Sequence, residues 1–331
     1  MPTPVRQSRD QFDCLVIGAG IAGLMAATIL STAGVSVRIV DKGRGPGGRM
    51  ATRRWAGAVF DHGAQFFTVR DARFARWVEQ WRVLGLVQPW YDLGNTGRHY
   101  RGEPGMTAIA KHLASKLDVQ RQAFVEKVIR LDDQWQVVVR GGEILTASHL
   151  LVTAPVPQAL TLLDASLMEL EKADQHALRA VHYHRCIAAL ATLDRPSGIT
   201  THQGALKLSG EPIQWISDNY RKGISTEVPS VTIQSTPTFA EEHWDTKDSI
   251  RIPILLEAAS EFLSANVISF HGHRWGYSQP TSAFGKEAFV VSRLRLALAG
   301  DGFAGGRVEG AAVSGLTAGE SLVRMIQSMP H

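Results

Sequence analysis

Apolar and polar positions change period several times along the chain, and each change marks an element. Residues 13–19, DCLVIGA, form a short apolar run that reaches glycine at 18, the pattern of a strand buried on both faces. LMAATILSTAG (24–34) then places apolar residues at helical spacing and stops on Gly34. VSVRIVDK (35–42) is a β-branched strand ending on Asp41. GEPGMTAIAKHLASKL (102–117) reads as a loop opening into an amphipathic helix, and ARFARWVEQWRVLG (72–85) as another. FVEKVIRLDDQWQVVVRGGEILTASHLLVTAP (124–155) alternates strands with DD and GG turns and closes on a buried strand. QALTLLDASLMELEKADQHALRAV (158–181) is a helical stretch, followed by several short strands up to 285. SRLRLALAGD (292–301) predicts a strand and RVEGAAVSGLTAGESLVRMI (307–326) a helix.

A chain of 331 residues can bury two cores, and 44% hydrophobic with 20% charged residues is an ordinary globular balance. The net charge of +4 is mild, and no run of five or six Lys/Arg occurs, so nucleic-acid binding is not expected. Cys14 and Cys186 fall in no metal or redox spacing, and the cytoplasm is the expected compartment. CLVIGAGIAGLMAATIL (14–30) carries no charge, yet it is short for a membrane span and broken by three glycines; no membrane partner is expected. The polar arm before it, MPTPVRQSRDQ, reads as disordered.

The three glycines are the first chemical signal. Gly18 permits a tight turn, Gly20 lets backbone approach a pyrophosphate, and Gly23 lets the following helix pack close to the strand. The helix start at Ala22 offers free N–H groups and a positive dipole end to phosphate. Asp41, eighteen residues after Gly23, is placed for the adenosine ribose. The context, strand before and helix after with an acid ending the next strand, makes this a dinucleotide fold. GRGPGGRMATRR (43–54) then adds Arg44 and Arg49, cations for the same pyrophosphate. A second glycine-dense stretch, AGDGFAGGRVEGAAVSGLTAG (299–319), has seven glycines in twenty-one residues, as backbone lying against a long cofactor requires.

These segments carry two resemblances. The GG-R-M element of Gly48, Arg49 and Met50, beside Lys42, resembles that of the flavin-dependent amine oxidase superfamily, as does Gly300-Asp301 before the last helix. Over nearly its whole length the chain also resembles the bacterial renalases, in IGAGIAGL, DKGRGPGGRM, DHGAQFFTVRD, GEPGM, HRWGYSQP and GRVEGAAVSG. The resemblance implies a p-hydroxybenzoate-hydroxylase-like α/β fold, a Rossmann-type FAD-binding domain interwoven with a mixed α+β substrate domain. It implies non-covalent FAD, with Val125 at the adenine, Ala64 and Gln65 on the cofactor, and Arg307, Val308 and Glu309 facing the flavin pyrimidine. The expected boundaries are 10–60, 102–155 and 286–331 for the FAD domain, and 61–101 with 156–285 for the substrate domain. The implied reaction is oxidation of 2- or 6-dihydro-NAD(P) isomers to NAD(P)+, with oxygen reduced to hydrogen peroxide. Two segments depart from the family: AVHYHRCIAAL (180–190) and the small Ala304 beside Phe303.

Hydride transfer from a dihydropyridine needs no strong base, because the ring nitrogen supplies the electron push. The sequence shows no Ser/His/Asp order, no HExxH and no conspicuous carboxylate pair. The candidate pocket wall is His62, Phe67, His273, Trp275, Tyr277 and Arg307, the rings to stack on a nicotinamide and Arg307 to meet a phosphate; a domain-interface core would have the same composition. The alternatives are a flavin amine oxidase or dehydrogenase, for which Lys207 and Lys286 are the only loosely placed lysines, and a non-catalytic flavin-binding protein. The pairs His182/His184 and His271/His273 lack the further ligands a metal needs, so no metal site is expected.

Overall fold

The apolar run at 14–17 lies at the centre of a parallel sheet. The computed structural model describes residues 7–94, 97–131, 133–163 and 170–328. Strand Gln7–Ile17 pairs in parallel with Val37–Val40 on one side and Ile144–Val152 on the other. Asp118–Gln120 extends the sheet beyond Val37–Val40, and Leu296–Leu298 extends it beyond Ile144–Val152, both in parallel. Phe289–Val291 closes that edge antiparallel, and the hairpin Val125–Leu131/Gln134–Val139 hangs from the start of Ile144–Val152. Cys14, Leu15, Val16, Leu150, Leu151 and Val152 are wholly buried, which is why these strands read as unbroken apolar runs.

Helices Ile21–Thr32 and Val308–Gln327 pack against each other in the same unit. A Cβ on Gly315 would fall 2.2 Å from the Ala22 carbonyl oxygen, and one on Gly319 2.9 Å from that of Ala26. Two glycines one turn apart thus face two alanines one turn apart, and only their missing side chains let the backbones approach. Part of the glycine density at 299–319 is therefore helix packing.

Met1–Gly48, Ala110–His182 and Pro280–His331 make this first compact unit, and Arg49–Ile109 with Tyr183–Gln279 make a second. The second is built on a five-stranded sheet in the order Ala205–Lys207, Ile213–Asp218, Ser230–Ser235, Tyr183–Leu193, Val267–Pro280. Helix Asp248–Leu263 lays Ile252, Leu255, Ala259 and Leu263 on the alternate residues Ile187, Ala189, Ala191 and Leu193. Helix Ala72–Val83 buries Phe74, Val78 and Trp81, and Asp71 caps it by accepting from the Arg73 and Phe74 N–H groups. Two hairpins, Thr52–Trp55/Ala58–Asp61 and Val87–Asp92/Arg98–Gly102, complete the unit.

The mixed α/β architecture agrees with the sequence. One expectation is corrected: the arm at 7–11 belongs to the first strand, with Gln11 paired to Thr146, because the inner strand Ile144–Val152 gives its backbone a partner that local polarity does not reveal. The stretch 158–181 contains two helices, Val156–Leu162 and Lys172–Arg179. Its middle, 164–169, together with Asp132 of the DD turn and residues 1–6 of the arm, lies outside the described residues. No described helix is long and apolar enough to cross a membrane.

Candidate active site

In the first unit the glycine turn separates into glycines the protein requires and one it does not. A Cβ on Gly18 would lie 2.5 Å from Thr153 Oγ1, at a φ of +111, and one on Gly23 2.0 Å from the Gly18 carbonyl oxygen. A Cβ on Gly20 would meet nothing within 4 Å. Gly20 is the N-cap of helix Ile21–Thr32, with no side-chain cap and no acidic residue in the first turn. Open space over uncapped N–H groups, at the positive end of a helix, is a donor set that fits a phosphate.

Asp41 holds the turn together: its carboxylate accepts from the Ala19 N–H and the Gly43 N–H, both at 2.6 Å. The Gly47 N–H donates to the Ala19 carbonyl at 2.8 Å, so the second glycine loop lies directly on the first. Lys42 and Arg44 project from that loop into solvent, Gly48 is exposed, and Val125 is buried at the start of its strand.

At the chain's other end Gly300 has a φ of +146 and donates its N–H to Ser314 Oγ at 2.9 Å. Asp301 and Glu309 are buried, Val308 is half-buried, and Arg307 is exposed as the N-cap of helix Val308–Gln327. That helix also lacks a side-chain cap. Both motif helices thus lack a side-chain cap, the second carrying Glu309 in its first turn, whereas helix Ala72–Val83 is capped by Asp71.

In the second unit the structure brings three of the predicted rings together. His62 and His273 meet edge to face at 4.6 Å, His273 and Trp275 at 4.4 Å, and His62 and Trp275 at 5.3 Å. The Trp275 indole N–H donates to the His62 carbonyl at 2.8 Å, and the Ala51 carbonyl accepts from the His62 ring. Burial pushes His62 down to about 3, with His273 and Arg53 adding to it. Burial likewise pushes His273 down to about 4, with the Arg53 charge next in weight. Arg53 itself is hydrogen-bonded to His271. At neutral pH the ring group is therefore uncharged.

The other predicted residues go elsewhere. Tyr277 packs edge to face on Tyr183 at 5.7 Å, and its carbonyl accepts from Arg49 Nη1 at 3.1 Å. Phe67 stacks on Tyr100 at 5.6 Å and meets Phe74, joining the core under helix Ala72–Val83. Met50 is buried, and its carbonyl accepts from Thr107 Oγ1. The Ala64 N–H donates to the Arg49 carbonyl at 2.8 Å. Gln65 is buried, and its Nε2 donates to the Asp61 and Gly63 carbonyls.

Sequence reasoning passed over one buried ion pair. Lys222 and Asp61 are both wholly buried, with Nζ 2.7 Å from Oδ2. Asp61 Oδ1 also accepts from Thr52 Oγ1 at 2.6 Å and the Met106 N–H at 2.9 Å. Lys222 donates to the Gln65 carbonyl at 2.6 Å and lies 4.7 Å over the Trp90 ring. Burial pushes the Lys222 ammonium below its ordinary range, against the pull of Asp61. Lys207 and Lys286, singled out in the sequence, are exposed. Asp61 stands in the DHGAQFFT motif and was within reach; nothing around Lys222 in NYRKG marks it. Among the described residues no three His, Cys, Asp or Glu side chains are grouped to hold a metal.

A parallel sheet opening on an uncapped glycine turn, with a second glycine-rich helix start in the same unit, defines a dinucleotide-binding fold of the flavoprotein class. Residues 16–81 match the NAD(P)-binding Rossmann-like domain, and residues 82–322 match flavin containing amine oxidoreductases. The chain belongs to the flavin containing amine oxidoreductase family; it is a flavin-dependent oxidoreductase and FAD is its cofactor. Cyclohexylamine oxidase from Brevibacterium oxydans IH-35A has a similar fold, with a TM-score of 0.76 at 14% identity over 96% of this chain and all of that one. Putrescine oxidase bound to putrescine gives 0.70 at 14% identity over 97% of this chain and 100% of that one. Hydroxyneurosporene desaturase of Rubrivivax gelatinosus is 43% identical over 70 residues, 21% of this chain and 13% of the desaturase. The chain thus spans a small part of that relative's length.

Proposed function

We propose that the protein is an oxidase of renalase type, converting 2- or 6-dihydro isomers of NAD(P) to NAD(P)+ with hydrogen peroxide as the second product. The uncharged ring group of His62, His273 and Trp275 carries this reading. A dihydropyridine is neutral and planar and expels hydride with its own nitrogen's electron pair. Its site needs flat apolar contact and no base. Two histidines held near 3 and 4 provide rings that stay uncharged at neutral pH.

FAD, when bound, supplies the two-electron acceptor and passes the pair to oxygen. Gly20 and the uncapped start of Ile21–Thr32 would take its pyrophosphate, with Lys42 and Arg44 as exposed counter-charges. Asp41 would orient the turn and accept from the ribose, and Val125 would meet the adenine. Gly300, Asp301 and the helix start at Arg307, Val308 and Glu309 would hold the flavin end. The binding is proposed as non-covalent. Ala64 and Gln65 are proposed as further cofactor contacts, and Arg307 as a phosphate contact. The partners are then a small dinucleotide and oxygen, and the compartment the cytoplasm.

A second reading, oxidation of a small amine, is favoured by the family and by the fold shared with two amine oxidases. Against it, Asp61, the buried carboxylate in the same segment as His62, is already engaged by Lys222, Thr52 and Met106. Anaerobic stopped-flow mixing with 2-, 6- and 4-dihydro-NAD(P) and an amine panel decides between them. Flavin bleaching by the 2- or 6-isomers alone supports the renalase reading; bleaching by an amine alone replaces it.

A further inference from the structure

Strand Val267–Pro280 carries His273 and Trp275 at the end of its sheet: Tyr183–Leu193 flanks it on one side, and no strand of the described residues flanks it on the other. Its odd residues share one face, where His271 meets Arg53, Trp275 donates to the His62 carbonyl, and Ser269 Oγ lies 2.7 Å from Thr192 Oγ1. The even residues face the other way, and a separate set of contacts holds them. A Cβ on Gly272 would fall 2.5 Å from the Asp248 carboxyl carbon, and one on Gly276 3.7 Å from the Trp244 ring. Between them Arg274 Nη1 donates to the Trp244 carbonyl at 2.9 Å, and its guanidinium lies 5.2 Å over the Trp244 ring.

Trp244 is held at its backbone as well as its ring. Arg251, 4% exposed, donates from Nη1 to the Trp244 carbonyl at 2.7 Å and from Nε to Asp248 Oδ1 at 2.8 Å. Arg185, on the neighbouring strand, lies 4.6 Å over the indole and pairs with Glu241 at 3.0 Å. Guanidiniums from the last two strands of the sheet thus share one indole, an attraction that ties the end strand to its neighbour. With glycine at 276 the ring lies against the strand's own backbone, so a movement of the ring is a movement of the strand. Arg274 and Gly276 alternate with His273 and Trp275, so the backbone passes any shift directly to the other face. We propose that Trp244 is a positioning residue for flavin reduction: it fixes the end strand from behind, so that His273 and Trp275 keep the placement that the substrate ring meets. This rests on the dihydropyridine reading above. Binding of a dinucleotide is spread over its phosphates, riboses and rings, whereas hydride transfer depends on the placement of one ring, and a misplacement of about 1 Å costs up to about 100-fold in rate. Loosening the strand should therefore act on the limiting rate more than on half-saturation.

The test uses the FAD-loaded protein, mixed anaerobically with the 2- or 6-dihydro isomers of NAD(P) over a range of concentrations, with amide exchange of the strand followed in parallel. Trp244→Ala is expected to lower the limiting rate of flavin reduction about 10-fold or more, while the half-saturating concentration moves less than about three-fold. The protected amides of Val267–Pro280 should exchange about 10-fold faster in this variant, as a locally loosened element does. Trp244→Phe, which keeps a ring face for the guanidiniums, is expected to recover most of the rate. Arg274→Gln, a change at an exposed side chain that removes one of the two cations, is expected to lose part of it. An unchanged limiting rate in Trp244→Ala, a loss carried by half-saturation alone, or no recovery in Trp244→Phe overturns the proposal and leaves the dihydropyridine reading standing. Should Trp244→Ala yield no folded protein, Arg274→Gln decides by the same split: a lower limiting rate supports the proposal and an unchanged one overturns it. Failure of every isomer to bleach the parent's flavin removes the dihydropyridine reading and this proposal with it.

Discussion

Replacing Lys222 with Met should strongly destabilise the second unit, because it strands a carboxylate where water cannot reach. Asp61 and Lys222 are both 0% exposed, with 2.7 Å between Nζ and Oδ2. At an effective dielectric of about 20, that separation corresponds to about 6 kcal/mol of attraction, which offsets the cost of removing two ions from water. Breaking such a pair from one side typically costs about 3–5 kcal/mol, since the remaining charge stays buried. At about 2–4 °C per kcal/mol for a unit of this size, Tm should fall by about 6–20 °C. Asp61→Asn should cost a similar amount by stranding the ammonium. The double variant keeps an acceptor for Thr52 and Met106 and holds no net charge, so it should recover about 2 kcal/mol or more of the summed loss. Urea unfolding at saturating FAD, read by tryptophan fluorescence, measures all four corners; Trp90, 4.7 Å from Nζ, reports locally. Additive single losses, or a Lys222→Met cost below about 1 kcal/mol, would refute the argument, because a surface pair behaves that way.

Three further outcomes follow from other parts of the molecule. Gly20→Ala should leave apoprotein unfolding within about 0.5 kcal/mol of the parent, as expected where a substitution meets no neighbour, yet lower FAD retention; Gly23→Ala, with its Cβ 2.0 Å from Gly18 O, should destabilise the apoprotein itself. Equal behaviour of the two in urea and in flavin content would sink the pyrophosphate assignment. Acid should weaken the fold through His62 and His273, whose folded values of about 3 and about 4 lie below the ordinary 6.5. The unfolded chain then binds protons first, so this stability is complete above pH 6.5 and declines as pH falls towards 4 and then 3. His62 alone should remove about 2 kcal/mol between pH 7 and pH 5, seen as a shallower pH slope of the urea midpoint in His62→Phe. Asp41→Ala should loosen both glycine loops together, since one carboxylate holds the Ala19 and Gly43 N–H groups; unchanged amide exchange at those two residues would contradict it.

The parts of the molecule that were legible in sequence are those where one local rule decides the outcome. A parallel strand is apolar throughout because both faces are covered, so DCLVIGA announces itself. The turn glycines follow from the same backbone logic. The C-terminal glycines were legible as a set but not one by one. Gly315 and Gly319 answer to a helix nearly three hundred residues earlier, and Gly300 to its own turn, and no local pattern separates the two causes. His62, His273 and Trp275 were grouped as candidates and do lie together, while Phe67, five residues from His62, packs in a core because an aromatic residue's neighbours are set by sheet register. Lys222 was invisible for a related reason: a lysine is read as exposed until its carboxylate is seen, and Asp61 lies 161 residues away.

The Asp61–Gln65 segment shows how a buried ion pair can serve a site it does not line. Lys222 holds Gln65 O, Trp275 holds His62 O, Gln234 holds Gly63 O, and Asp61 is anchored from three sides. The Trp275 contact ties the indole of the ring group to the backbone of the same segment, so the ion pair and the ring group share one scaffold. The buried pair contributes rigidity at some cost in desolvation, and that rigidity fixes where the rings stand. It follows that Lys222→Met should slow flavin reduction by substrate even at temperatures where the variant remains folded. Loss of stability without loss of rate would mean that the pair supports the fold alone.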